Sequence, residues 1–201
     1  MNMNKTRNTI IVLGEGPTET FYVSSLQDRF RGLQISPKIP KHSSLKELEN
    51  KIAELQSDYE YILCLIDMDN KQREPEHSQY LNLRKKYAAP VVNKKKHSKC
   101  NVLFFETNRC TELFFLYYFQ YTKKKYNTSA DISVDLNAHC KYEKTQKFFK
   151  KHPLHSYFES QGGCLATAVS NADRSIAQEK GNTYSELGKF IECLEKLRGN
   201  K

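Results

Sequence analysis

Two short apolar runs frame the amino-terminal part of the chain, Ile10-Ile11-Val12-Leu13 and Tyr61-Ile62-Leu63-Cys64-Leu65-Ile66. Each is rich in branched residues and bounded by polar residues or glycine. That is the pattern of a strand buried on both faces of a parallel sheet. Between the runs the period changes. Phe21, Tyr22, Leu26 and Phe30 recur at helical spacing after Pro17-Thr18, which predicts a helix over 17–31. Residues 33–39 read as a short strand stopped by Pro37 and Pro40, and Ser43-Ser44 caps a helix carrying Leu45, Leu48, Ile52 and Leu55. After the second run come a polar loop (70–76), a helix (79–88), a basic connector with room for a weak strand (90–99), a third buried strand (102–106) and a helix (111–121). Strands alternating with helices in this way predict an α/β fold: a mostly parallel sheet with right-handed crossovers and helices on both faces.

Beyond Tyr126 the pattern shifts. Residues 127–139 carry no strong period and read as irregular, and the remainder reads as helices over 142–151, 154–160, 165–179 and 184–197, separated at Gly162-Gly163 and Gly181-Asn182. The expected organisation is an α/β core over 1–126 with a helical C-terminal part over 127–201 packed on it. The 111–121 helix, with Phe114, Phe115, Tyr117, Tyr118 and Phe119, is apolar nearly all round. Such a helix belongs in a core or an interface, and the core is the better expectation. A homo-oligomer stays open.

Composition narrows the class. The 201 residues are 38% hydrophobic and 27% charged, polar but sufficient for a globular core. No run approaches the roughly 18 apolar residues that cross a bilayer, and Met1-Asn2-Met3-Asn4-Lys5 leads into a strand without an apolar leader. A cytoplasmic protein without membrane contact is the expectation. The six cysteines contain no CxxC pair and are expected as small buried hydrophobes. The histidines show no HExxH or other ligand spacing and are expected to be mostly solvated.

The candidate chemistry lies where the apolar runs end. Glu15 follows the first, and Asp67 and Asp69 close the second. In parallel sheets, ligands gather at the carboxyl ends of the strands. Asp67 and Asp69, two apart, share a face if the chain stays extended. Three converging carboxylates repel one another unless a cation neutralises them, and a hard, oxygen-preferring ion such as Mg²⁺, with Mn²⁺ as an alternative, suits them. The blander reading is a set of helix caps and turn formers. Glu19, one helical turn on, supports Glu15 or simply favours the helix dipole. Gly14 and Gly16 allow close backbone approach, but the GxxxxGK[ST] pattern is absent and no ATPase activity is expected.

Charge adds a partner class. The net charge is +9, concentrated at Lys94-Lys95-Lys96-His97 with Lys99, at Lys123-Lys124-Lys125, and at Lys141, Lys144, Lys147, Lys150 and Lys151. Tyr121, Tyr126, Tyr142, Phe148 and Phe149 lie among them. Lysine clusters suit phosphate backbones and aromatics stack on unpaired bases, although any single cluster reads better as a solvated face with its aromatics turned inward. Beside an acidic metal site, the basic charge suits a phosphodiester.

The Glu-Gly turn after one strand and the Asp-x-Asp after a later one resemble the Toprim fold of topoisomerases, primases and related nucleases. More closely, the chain resembles the RloB-like family of Toprim-related proteins, linked to restriction loci and abortive phage infection in bacteria. The stretch from Glu15 to Tyr22 is similar to that family's EGxTE-xxY start, and Tyr61 to Asp69 to its central strand with DxD. Thr107 to Phe114 is similar to its NPxFExW segment, Tyr142-Glu143-Lys144 to YxK, and Ala168 to Ala172 to AIxNA. Arg109 replaces the usual proline, Thr111 a phenylalanine, Phe114 a tryptophan, and Tyr118 a common histidine. The resemblance implies a Toprim-like, Rossmann-like fold and a Mg²⁺-dependent nuclease cleaving DNA or RNA in anti-phage defence, with a partner ATPase encoded nearby. It implies Glu15, Asp67 and Asp69 as catalytic residues and metal ligands, with Glu15 the third ligand or the general acid–base group. Glu19, Asn108 and Glu112 then support the site or face substrate, and Tyr142 and Lys144 meet the phosphate backbone. The alternative is a non-catalytic nucleic-acid- or partner-binding module on the same scaffold.

Overall fold

In the computed structural model, which describes residues 9–31, 33–38, 44–69, 71–93, 98–178 and 183–199, the two apolar runs are neighbouring strands. β1 (Thr9–Leu13) lies between β2 (Gln34–Lys38) and β3 (Tyr61–Asp67), parallel to both, and β3 lies parallel to β5 (Ser98–Asn108). β4 (Val91–Asn93) runs antiparallel beside the start of β5, and the two-residue β6 (Tyr184–Ser185) runs antiparallel beside its end. The sheet order is β2-β1-β3-β5-β4, an α/β architecture with a mostly parallel sheet.

Successive side chains of the central strands enter opposite layers, as the pleat requires. Ile10, Val12, Leu63, Leu65 and Phe105 face one core, while Ile11, Leu13, Ile62, Cys64, Ile66 and Val102 face the other. The second layer is covered by α2 (Leu45–Leu55) and α3 (Glu76–Lys86), through Leu48, Ile52, Tyr80 and Leu83. Ser44 caps α2 as expected, its side chain accepting from the Glu47 amide at 3.2 Å. The first layer is larger. It holds α1 (Pro17–Ser25), α4 (Glu112–Tyr117) and the C-terminal helices α5 (Ser129–Asn137), α6 (Gln146–Lys151), α7 (Leu154–Ser160), α8 (Leu165–Gln178) and α9 (Leu187–Gly199), and one continuous apolar cluster runs through them all.

Several boundaries differ from the sequence reading. α1 stops at Ser25, and the chain turns through Leu26 and Phe30, which remain buried. The third strand begins at Ser98 rather than Val102 because β4 pairs with its start. Residues 129–137 are helical, not irregular. Thr128 and Asp131 form a reciprocal cap, and only Ile132 and Leu136 are buried, too few apolar positions to show a period. Residues 141–145 precede α6 outside any helix, and Tyr184-Ser185 join the sheet before α9 begins. Met1–Lys5, Ile39, Pro40, His42, Ser43, Asn70, Lys94–His97 and Gly181-Asn182 lie outside the described residues.

α4 is core. Leu113 to Tyr118 are essentially without solvent exposure. Phe115 meets Tyr22 at 5.1 Å, Phe158 at 5.0 Å and Tyr142 at 6.0 Å between ring centroids. All six cysteines are free thiols, four of them buried. Among the described residues no helix is long and apolar enough to cross a membrane. Truncating Phe115 to alanine removes an aromatic hub shared by α1, α4 and α7, and a loss of about 3–5 kcal/mol is expected. Val134→Ala, at a 70% exposed position, should stay within about 0.5 kcal/mol. Urea unfolding followed by circular dichroism measures both.

Candidate active site

The carboxyl ends of β1 and β3 and the start of α4 bring four acids together: Glu15, Glu19, Asp67 and Glu112. Each arrives there for a local reason. β1 ends at Leu13, and Gly14 leaves the space that Glu19 fills; a Cβ at position 14 would lie 2.4 Å from the Glu19 Cβ. Pro17 opens α1 with its fixed φ. Glu19 then reaches back so that its Oε2 accepts from the Gly16 amide at 2.8 Å. Its Oε1 accepts from the Thr111 hydroxyl at 2.6 Å. Glu19 is therefore fully engaged and buried, a helix-start carboxylate and a strut to α4 at once. The same Thr111 Oγ1 stands 3.5 Å from Asp67 Oδ1. With one hydroxyl proton, already given to Glu19, it offers Asp67 little.

Two ammonium groups answer the four acids. Lys71 Nζ donates to Glu15 Oε2 and to the Asp67 carbonyl, both at 2.9 Å, and lies 2.7 Å from Glu15 Oε1. That Oε1 is buried against the Lys71 ammonium. Glu112, on the first turn of α4 and 1% exposed, accepts from the Tyr142 hydroxyl at 3.0 Å and pairs with Lys144 at 2.8 Å.

The electrostatics follow from this imbalance. Burial, and then the charges of Glu19, Glu15 and Glu112, push the Asp67 carboxyl well above its usual range. Glu15 is raised by burial, against the pull of Lys71. Glu19 is raised by burial, against its bond from Thr111. Burial lowers Lys144, but the Glu112 carboxylate more than restores it, and its net shift is upward. Burial and Glu112 also raise the Cys110 thiol, so it stays protonated.

The predicted residues divide accordingly. Glu15, Glu19, Asp67 and Glu112 converge. Asp69 does not join them: β3 ends at Asp67, and the Asp69 side chain, 42% exposed, pairs instead with Arg109 at 3.3 Å. Asn108 is the last residue of β5, buried opposite Tyr184. The Asn108–Arg109 peptide is cis. Tyr142 is buried and directed at Glu112, so it is not a surface contact for phosphate. Tyr126, Phe148 and Phe149, expected among the stacking aromatics, are likewise buried. His155 departs from the solvated expectation. It is buried, with Nδ1 3.1 Å from the hydroxyl of Tyr118, which in turn lies 2.9 Å from that of Tyr22. Tyr118 thus occupies the histidine position of the motif and meets an imidazole brought from α7. Sequence reasoning missed Lys71 and Thr111. Lys71 sits in a polar loop with no signal beyond its nearness to Asp67, and Thr111 counted only as a departure from phenylalanine.

A family model described as RloB-like protein matches residues 10–194, most of the chain. The chain belongs to the RloB-like protein family. No curated protein and no solved structure matches it. The family match spans both the sheet and the C-terminal helices, so the acids and the segment carrying Tyr142 and Lys144 fall within one family unit.

A hard divalent ion can be tested against these residues. The donors are carboxylate oxygens, and they outnumber the ammonium groups around them. That chemistry fits Mg²⁺ or Mn²⁺. Among the described residues no three acid, histidine or cysteine side chains are arranged as ligands of one ion; Lys71 engages Glu15, and Thr111 stands between Glu19 and Asp67. A carboxyl whose pKa is raised on folding binds its proton more tightly in the native state. Stability is then highest below the unfolded value and falls as pH rises toward the folded one. For Asp67 that decline begins near its ordinary value of 3.8, with a slope of at most about 1.4 kcal/mol per pH unit. Asp67→Asn should therefore be more stable than wild type at neutral pH, with the gain shrinking toward pH 4. Chemical denaturation across pH in EDTA reads the difference.

Proposed function

We propose that this chain is a metal-dependent nuclease that hydrolyses phosphodiester bonds in DNA or RNA, as an effector of bacterial anti-phage defence acting with a partner ATPase. The observation that carries the proposal is the excess of buried carboxylate at the carboxyl ends of β1 and β3, bordered by lysine and arginine. A buried acid cluster with raised pKa values is a common mark of a reaction centre. Family membership supports the phosphodiester substrate and the link to defence, and the Toprim-like resemblance agrees with strand-end acids.

In this reading Asp67 would hold Mg²⁺ or Mn²⁺, with Glu15 either a further ligand or the general acid–base group. When bound, the cation neutralises charge on the phosphate and on the oxygens that gain it as the bond breaks. As the acid–base group, Glu15, its carboxyl raised by burial, would exchange a proton with the attacking water or the leaving oxygen. Glu19 holds Thr111, and so the first turn of α4, against the site. Lys144 and Arg109, half-exposed at its margin, meet the phosphates on either side of the scissile bond. Asp69 steers Arg109 and is not a ligand.

The ion pair between Lys71 and Glu15 favours a second reading, in which the scaffold binds nucleic acid or the ATPase without cleaving. Labelled tRNA, single-stranded DNA and duplex DNA, incubated with Mg²⁺, Mn²⁺ or EDTA and with or without the ATPase, separate the two. Metal-dependent cutting is expected, reduced about 100-fold or more by Asp67→Asn and by Glu15→Gln. Cutting that survives EDTA or both substitutions refutes the mechanism. Salt-sensitive binding with no cutting under any condition selects the second reading.

A further inference from the structure

A second concave site lies beside the acidic one and shares a wall with it. Residues 141–145 form that wall, and their side chains alternate. Tyr142 and Lys144 point inward to Glu112, whereas Lys141 and Glu143 point outward and line a cavity of about 400 Å³. Lys147, Phe148, Lys151, His152 and Tyr157 complete it. The wall is held in place before any ligand arrives. Asn137 accepts from the Tyr142 amide at 2.8 Å and donates to its carbonyl at 3.2 Å, and the Tyr157 hydroxyl donates to the Lys141 carbonyl at 2.6 Å.

The lining has two parts. Three lysines stand against one glutamate, and that glutamate is already paired with Lys141 at 3.3 Å. Beneath them, His152 packs against both Phe148 and Tyr157, with centroids at 4.6 and 4.7 Å, and Tyr157 stands edge-on to Phe148 at 5.4 Å. His152 and Tyr157 are only partly buried and leave ring surface open. An anion alone would not need the aromatic floor, and an apolar ligand would not need the lysines. A planar base joined to a phosphate uses both. The cavity lies within the size range of small-ligand sites. A duplex keeps its bases stacked inside, so the base must come from an unpaired strand.

We propose that this pocket seats one nucleotide of a single-stranded nucleic acid, its base against His152 and Tyr157 and its phosphates on Lys141, Lys147 and Lys151. The shared 141–145 wall would then lead the strand toward Glu112 and Asp67. The proposal rests on the reading of this chain as a nucleic-acid-handling protein but not on cleavage.

Fluorescence anisotropy in EDTA, with labelled single strands of about 10 nucleotides and a duplex of the same sequence, tests binding without turnover. Single strands should bind at least about tenfold tighter than duplex. Lys147→Ala/Lys151→Ala should weaken single-strand binding about tenfold and reduce the slope of log affinity against log salt by about 1.4. His152→Ala should weaken it about fivefold with little change in that slope. Lys46→Ala/Lys85→Ala, exposed on α2 and α3, should leave it unchanged. The proposal is overturned by equal affinity for duplex or by equal losses from the two lysine pairs. Failure of the nuclease reading alone would leave these binding differences intact while cutting is absent.

Discussion

Four carboxylates and two ammonium groups share a buried edge of the sheet, and this imbalance organises what surrounds it. Charge in a low-dielectric site is expensive unless paired or protonated. Glu112 is paired with Lys144 and hydrogen-bonded by Tyr142. Glu15 is paired with Lys71. Glu19 has no cation and is held by an amide and a hydroxyl instead. Asp67 is left with the least, a carboxyl pressed from three sides by like charge and raised furthest. A protein that had only to fold would gain by replacing it. In the proposed function it is kept to meet a cation that the chain does not itself supply.

The strained charge is tolerated because its support is rigid. The central strands are buried on both faces, with β1, β3 and β5 in parallel register. Above them α4, apolar after Glu112, is enclosed by α1, α7 and the 141–145 segment through aromatic contacts. Thr111 and Glu112 open this helix, so both are positioned by the packing of the six residues that follow them. The C-terminal helices belong to the same apolar cluster as the sheet. They deliver Tyr142 and Lys144 to the acids and His155 to Tyr118.

Basic residues here have more than one task. Lys71 and Lys144 neutralise buried acids, Lys124 pairs with Asp135 at 2.9 Å, and Lys141, Lys147 and Lys151 surround the open pocket. A count of positive charge treats these as equal. Their surroundings separate those set against a buried acid, Lys71 and Lys144, from Lys147 and Lys151, which open on the pocket. The aromatics divide similarly, because Tyr126, Tyr142 and Phe149 are buried in the core while His152 and Tyr157 keep open surface.

The sequence alone determined the parallel-strand core, since unbroken branched runs have few other stable uses. It also placed Glu15 and Asp67 at strand ends, because each acid directly follows such a run. The helices α2 and α7 were legible for the same reason: an apolar stripe at helical spacing, or a capping residue, is a local signal. Tertiary structure decided the rest. Whether Asp69 stays beside Asp67 depends on where β3 ends, and the partner strand sets that. Whether Lys71 and Lys144 meet solvent or a buried acid depends on residues up to 56 positions away. Glu112 is buried because α4 is enclosed on every side, which no local pattern around it shows. The α5 helix escaped notice because two buried residues and a reciprocal cap leave almost no period. Burial and charge pairing are properties of the packed chain, and long-range neighbours fix them where local pattern cannot.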